Sequence, residues 1–322
     1  MNILVTGCMG FIGSNLIPFL LRDGHKVLGI DNLFKPSLLP SERMKHLSKE
    51  KWENFKFYNA DINEPHNIYS ILAANEKIDA VIHLAAIGSV PYSFMFPDQT
   101  MKTNSVGFTN MVNLVNRFDI KKFIFASSSS VYGDSSINPR VEGHEGKPLS
   151  PYALSKQDNE KLAILLLNRS VSFIGLRFFN VYGPGQSLNG HYSAVIPRFI
   201  TEENPTIYGD GETKRDFTYV DDVCQAIFKS LFLTGSHILN VGSGVQKSLN
   251  ELIKFLKKED VVSYKDHRPG DVKESCADIS AAKKILNYSP KVTLEDGLEI
   301  TKNFYDTVYN DAKTESKSSI KN

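Results

Sequence analysis

Cysteine is scarce. The three present, Cys8, Cys224 and Cys276, lie far apart with no metal-ligand spacing, which argues against a disulfide framework and a cysteine-built metal centre and predicts a reduced, cytoplasmic setting with no metal. An excess of one charge is also lacking: 37 Lys and Arg stand against 36 Asp and Glu, interleaved without long runs, so nothing predicts a nucleic-acid partner. No apolar run is long enough to span a bilayer, and the chain enters a strand from Met1 with no charged leader or signal-length apolar core. No membrane association is therefore expected. Internal repeats are absent as well. What is there is a chain of 322 residues, 41% of them apolar, with material for a large domain and a smaller one. The polar, serine-rich stretch 311–322 is expected to be a flexible, solvated tail.

Strand-like runs alternate with helical patterns, predicting an α/β fold built on a doubly wound parallel sheet. The first run breaks at Gly7-Cys8-Met9-Gly10-Phe11-Ile12-Gly13 and gives way to a helix carrying Leu16, Ile17, Leu20 and Leu21. Glycines at this spacing permit a tight turn and a close approach to a pyrophosphate, whose charge meets amide groups at the helix N-terminus. The next strand, 26–30, ends at Asp31-Asn32. An acid there accepts hydrogen bonds from both ribose hydroxyls and repels a 2′-phosphate, so NAD is expected as cofactor over NADP. Gly7, Gly10, Phe11, Ile12, Gly13, Asp31 and Asn32 are the first candidate cofactor contacts. Strands at 55–60, 79–84 and 122–126 run into Asp61, Ala85-Ala86 and a serine cluster, gathering small and polar residues at the sheet edge where parallel sheets bind ligands. Residues 1–180 are expected to form this nucleotide-binding domain, with 217–242 returning to it and 181–310 forming mainly a smaller substrate-binding lobe.

Proton chemistry is suggested by Ser150-Pro151-Tyr152-Ala153-Leu154-Ser155-Lys156. Ser150 suits an N-cap and Pro151 the first helical position. Tyr152 and Lys156 then share a helix face, where an ammonium makes a phenol ionise more readily and so exchange protons near neutral pH. Two amphipathic helices, about 97–117 and 151–168, are suited to packing on the sheet or against a second subunit.

Gly7-x-x-Gly10-x-x-Gly13, Asp61-Ile62, His83-Leu84-Ala85-Ala86, the run Ser127 to Gly133, Tyr152-x-x-x-Lys156 and the run Arg177 to Pro184 occur in the order seen in extended short-chain dehydrogenase/reductases. The resemblance covers nearly the whole chain. Within that superfamily the chain looks most like nucleotide-sugar 4-epimerases, above all those acting on UDP-N-acetylglucosamine, through the stretches 88–91, 146–152, 189–197 and 209–217. The resemblance implies Tyr152 as the base, Lys156 as the group that lowers its pKa and holds the nicotinamide ribose, and Ser128 as the hydroxyl between Tyr152 and the sugar. It implies Asp61 and Ile62 beside adenine, and Leu84, Ala85, Ala86, Asn104 and Phe178 on the cofactor side. For a UDP-sugar substrate it implies Asn180, Arg215, Arg268 and Asp271 at the diphosphate and nucleoside, Tyr208 beside uracil, and Ser89, Ala194 and Val195 as further contacts. Two guanidinium forks suit the anionic oxygens of a pyrophosphate. A homodimer through the two amphipathic helices is likewise implied. His83 reads as a hydrogen-bonded structural histidine.

Reaction type and sugar are narrowed by the same resemblance. The 4,6-dehydratases of the superfamily carry an Asp-Glu pair where this chain has Ser129 and Ser130, the decarboxylases keep a glutamate at the second position, and uronate epimerases tend to carry an arginine after Tyr-Gly-Pro, where Gly185 stands here. Reversible oxidation at C4 is the simplest remaining chemistry. Ser275 occupies a place where a tyrosine restricts some epimerases to plain hexoses, so room is expected for a 2-acetamido group, with UDP-glucose and UDP-galactose still open. A 4,6-dehydratase, a 4-keto reductase, a uronate epimerase and a catalytically silent NAD-binding regulator stay as alternatives. Two departures bear on cofactor and sugar: Cys8-Met9 replaces the usual Gly-Ala, and Tyr92 stands where an arginine is expected near the sugar.

Overall fold

In β1 (Asn2–Thr6), Ile3 and Val5 enter one apolar cluster and Leu4 another, which is how a period-two strand behaves when helices cover both sheet faces. The computed structural model describes residues 1–34, 53–186, 194–266 and 273–319. After β1 come α1 (Phe11–Arg22), β2 (Lys26–Asp31), β3 (Phe55–Asn59), α2 (Pro65–Ala73), β4 (Ala80–His83), α3 (Val90–Met95) and α4 (Pro97–Met101). A π-helical turn (Lys102–Val106) leads into α5 (Gly107–Arg117), β5 (Lys122–Ser128), α6 (Pro151–Leu166) and β6 (Ser172–Phe178). These are followed by β7 (Val181–Tyr182), α7 (Val195–Thr201), β8 (Thr206–Tyr208), β9 (Lys214–Asp216), β10 (Thr218–Tyr219) and α8 (Val220–Ser230). The chain closes with β11 (Ser236–Val241), β12 (Gln246–Ser248), α9 (Leu249–Phe255), β13 (Ser263–Lys265), β14 (Glu274–Ser275), α10 (Ser280–Leu286) and α11 (Leu294–Ser319).

The main sheet has seven parallel strands in the order β3-β2-β1-β4-β5-β6-β11. This is the expected doubly wound sheet, and its order reverses between β1 and β4, where such sheets open a crevice at the strand C-termini. Helices α1 and α8 cover one face and α2 and α5 the other. The chain comes back to the sheet at β11, inside the 217–242 stretch. Smaller sheets, β12-β9-β14, β10-β7 and β13-β8, form from the chain after β6.

The helix expected over 97–117 is broken into α4, the π turn and α5. The π turn lets Asn104 reach inward: its Oδ1 accepts the Ile87 N–H at 2.8 Å, and its Nδ2 donates to the Ile87 carbonyl and to Ser155 Oγ, each at 3.1 Å. Single π turns of this kind recur at functional sites. At the other end of the chain, α11 continues to Ser319, through most of the stretch expected as a tail. Residues 311–319 hold no glycine or proline to stop the helix.

Asp216 fastens the small sheets to the large one. Fully buried at the end of β9, its carboxylate accepts from the Ser243 N–H and Oγ, both at 2.7 Å, the Gly244 N–H at 3.0 Å, the Ala277 N–H at 3.1 Å and Thr218 Oγ1 at 3.3 Å. Asp216→Ala leaves these donors unmatched and is expected to destabilise the fold by about 3–5 kcal/mol, read as a lower urea midpoint.

Candidate active site

The C-terminal ends of the strands open into a cleft of about 1140 Å³, larger than a single drug-sized ligand needs. Gly7, Gly10, Phe11, Ile12 and Gly13 line one end. Gly7 has φ +70°, and a Cβ there would lie 2.6 Å from the Ala85 nitrogen, while one on Gly13 would lie 2.2 Å from the Gly7 carbonyl oxygen. Side chains are thereby excluded where the helix and the 84–86 segment meet the loop. Asp31 also lines the cleft, and its carboxylate accepts the Met9 N–H at 2.9 Å and the Leu33 N–H at 2.8 Å. The acid thus shapes the glycine loop as well as presenting an oxygen edge. Asn32 donates to Asp61 at 2.9 Å, and Ile62 continues that wall. Cys8 is buried behind the loop with its thiol pushed up by desolvation, and Met9 alone of that pair faces the cleft.

Leu84, Ala85 and Ala86 form the floor, and Phe178 closes the far side. Asn104 does not line the cleft; it supports the floor through Ile87. His83 is buried, its Nδ1 lies 2.7 Å from Thr6 Oγ1, and burial pushes its pKa down to about 3. It is a neutral structural group, as expected.

Ser128, Tyr152 and Lys156 converge where β5 meets the start of α6. Ser150 Oγ caps that helix by accepting the Ala153 N–H at 3.0 Å, with Pro151 in its first turn. Ser128 hydrogen-bonds the Tyr152 phenol, and Lys156 Nζ donates to the Ala126 carbonyl at 2.9 Å. The electrostatics differ from the expectation that the ammonium depresses the phenol. Burial raises the Tyr152 pKa, with only the Ser128 hydrogen bond opposing it. Lys156 Nζ stands 5.9 Å from the ring centre, and burial lowers its own pKa to about 8. Desolvation outweighs the neighbouring charge.

Asn180, Arg215 and Ser275 also line the cleft. Asn180 Nδ2 donates to the Asp216 carbonyl at 3.1 Å, and Ser275 pairs with Arg215 across β14 and β9. Four expected contacts are not brought to the cleft. Ser89 is buried and caps α3 by accepting the Tyr92 N–H at 3.3 Å, while Ala194 caps α7, Val195 begins it and Tyr208 sits in β8. Arg268 and Asp271 lie outside the described residues. Tyr92, where an arginine is expected, is buried and donates to Gln99 Oε1 at 2.6 Å. Sequence reasoning assigned no role to the buried Arg140 or to Gln186, both of which line the cleft. Neither belongs to a motif whose spacing announces it. Among the described residues no cluster of His, Cys, Asp or Glu could hold a metal, and no helix is long and apolar enough to cross a membrane.

Beneath the cleft lies a buried ionic group. Arg177 Nε and NH2 donate to the two Glu160 oxygens at 2.9 and 2.8 Å, and NH1 donates to Tyr132 Oη at 2.9 Å and to Glu145. Ser127 Oγ donates to the same Glu160.

The sequence profile of the GDP-mannose 4,6 dehydratase family matches residues 4–301. The chain is 38% identical over 313 residues to a UDP-glucuronate 4-epimerase of Thermodesulfobacterium geofontis, covering 94% of this chain and 95% of that one. The structure of a UDP-N-acetylglucosamine 4-epimerase from Methanobrevibacter ruminantium, in complex with UDP-N-acetylmuramic acid, superposes with TM-score 0.85 at 34% identity, covering 95% and 98% of the two chains. A Bacillus cereus UDP-glucuronic acid 4-epimerase, in complex with UDP-glucuronic acid and NAD, superposes with TM-score 0.85 at 32% identity, covering 96% and 100%.

Proposed function

The chain belongs to the GDP-mannose 4,6 dehydratase family, among the extended short-chain dehydrogenase/reductases, and from that premise we propose that it interconverts UDP-N-acetylglucosamine and UDP-N-acetylgalactosamine by NAD-dependent epimerisation at C4. The observation that carries the reading is the meeting of Ser128, Tyr152 and Lys156 in the same cleft as the glycine loop, with serines at 129 and 130 in place of a second acid–base pair. NAD supplies the acceptor and donor of hydride and, when oxidised, a positive charge that favours the phenolate. The glycine loop, Asp31 and Asp61 suit its adenosine end, and Lys156 and Phe178 its nicotinamide end.

Tyr152 accepts the 4-hydroxyl proton, directly or through Ser128, as C4 is oxidised. The 4-keto sugar then turns in the cleft, and Tyr152 returns the proton once the other face has been reduced. Because the cofactor ends each cycle as it began, tight retention favours turnover. Arg215 and Asn180 suit the diphosphate end, and Ser275 leaves space beside the sugar. Incubation with UDP-N-acetylglucosamine and no added cofactor is expected to yield UDP-N-acetylgalactosamine by NMR; absence of C4 inversion with every UDP-hexose tried rejects the epimerase reading. Ser275→Tyr is expected to lower kcat/KM for the N-acetyl sugar by roughly 10–200-fold and to spare UDP-glucose, the scale on which a pocket discriminates by volume.

UDP-glucuronate is a second reading, favoured by the 38% identity to a UDP-glucuronate 4-epimerase; the same assay with that substrate ranks the two. The outer faces of the helices over 97–117 and 151–168 are proposed to pair two copies, on the strength of exposed Val106, Leu154, Ile164, Leu165 and Leu166. Sedimentation velocity reads this as a dimer mass.

A further inference from the structure

Tyr152, Lys156 and Glu160 follow one another at four-residue spacing on α6, so they occupy successive turns of one helix face. Each meets a different one of the last three residues of β5. Ser128 hydrogen-bonds Tyr152, the Ala126 carbonyl accepts from Lys156, and Ser127 donates to Glu160. Strand end and helix are therefore joined by three consecutive rungs, of which only the first two belong to the proton-transfer group.

The third rung carries a carboxylate that is almost wholly buried, at 7% exposure, one turn from an ammonium at 3%. A buried ammonium bonded to one carbonyl is costly unless an anion stands near it. The groups around Lys156 leave few candidates. From β4 it faces His83, which is neutral; from β5 only the Ala126 carbonyl and hydroxyls; from its own helix the Tyr152 phenol and Glu160. Behind Glu160 stand Arg177 from β6, Tyr132 and, from the 134–149 segment, Glu145. Arg177 is thus shared between two carboxylates, so the set Lys156, Glu160, Arg177 and Glu145 is neutral as a whole. Glu160 counters the lysine as well as the arginine.

We propose that Glu160 is a positioning residue of the proton-transfer site, whose buried carboxylate keeps the Lys156 ammonium charged and locks the serine end of β5 to α6. It does not line the cleft and acts through Lys156 and Ser127. The inference rests on the epimerase reading for its kinetic consequence, but its electrostatic consequence stands without turnover.

The experiment pairs two measurements on wild type, Glu160→Gln and Glu160→Asp. Carbon-13 NMR at Lys156 Cε titrates the amine directly and needs no substrate. Its midpoint is expected to fall by about one pH unit in Glu160→Gln and to stay near the wild-type value in Glu160→Asp, since one unit is the scale of a single nearby charge. The kcat of the holoenzyme, followed across neutral and alkaline pH, is expected to lose its alkaline limb about one unit earlier in Glu160→Gln. That is roughly a tenfold deficit near pH 9 and little near pH 7, with KM unchanged. A uniform loss of kcat at all pH values, with an unmoved Lys156 midpoint, overturns the proposal, because a merely structural glutamate behaves that way. If Glu160→Gln does not fold, the double variant Glu160→Gln with Arg177→Gln removes the ion pair as a unit and is read by the same two outcomes. A shifted midpoint in a protein that turns over no UDP-sugar supports the role of Glu160 and rejects the epimerase reading instead.

Discussion

Tyr152→Phe is expected to lower kcat by roughly 10²–10⁴-fold, the range for loss of a positioned acid–base group, while bound NAD and KM for the UDP-sugar stay near wild type. The substitution removes one oxygen, and the ring remains packed at the start of α6, where Ser150 and Pro151 fix the backbone independently of the phenol. Initial rates by coupled assay and the NAD content of the purified protein separate chemistry from binding. A kcat within threefold of wild type would sink the assignment of Tyr152 as base. The pH dependence carries a sign as well. Burial holds the phenol above its ordinary value before cofactor binds, so wild-type activity is expected to fall as pH drops through the working pKa of the holoenzyme, and Tyr152→Phe is expected to lose that limb.

Lys156→Met is expected to move activity and stability in opposite directions. Activity falls by two orders of magnitude or more, since the variant lacks the charge beside the phenol. Stability rises, because the folded state holds this amine at about 8 against 10.5 for the free side chain. A base with a lowered folded pKa binds fewer protons folded than unfolded between those two values, so the wild type gains stability as pH rises through that window and carries the full penalty below it. The penalty is on the order of 3 kcal/mol at neutral pH. Nucleotide-free Lys156→Met is therefore expected to melt a few degrees above wild type at pH 7, with the gap closing toward pH 10. A variant less stable than wild type at both pH values contradicts this account of the buried ammonium. Stability of this kind is commonly spent at active sites.

Local chemistry made much of this molecule legible. Gly10 and Gly13 announce a turn that admits no side chain, Asp31 marks a strand end, and Ser150-Pro151 marks a helix start; each is settled within a few residues of itself. What escaped depends on distance along the chain. Ser89 reads as a polar residue near the sugar because nothing in the sequence says that its hydroxyl is taken by the Tyr92 N–H. Tyr208 sits in β8, paired with Lys265 of β13, and is not among the residues that line the cleft. Glu160 looks like a solvated partner for a lysine one turn away, the ordinary meaning of that spacing. Only the arrival of Arg177 from β6 and Ser127 from β5 turns it into an interior anion. The sign of the Tyr152 shift escaped for the same reason, since burial belongs to the tertiary structure.

The π turn at 102–106 sets a constraint on chain length that no single side chain reveals. It holds one residue more than α-helical winding would need, and that surplus rotates Asn104 inward under the cofactor floor. Deleting Ser105 or Val106, neither of which lines the cleft, would restore regular winding with the flanking turns close to their present register, taking the Asn104 amide away from Ile87. Shortening this helix by one residue therefore uncouples the floor of the cleft from α6, although every residue that lines the cleft is left in place.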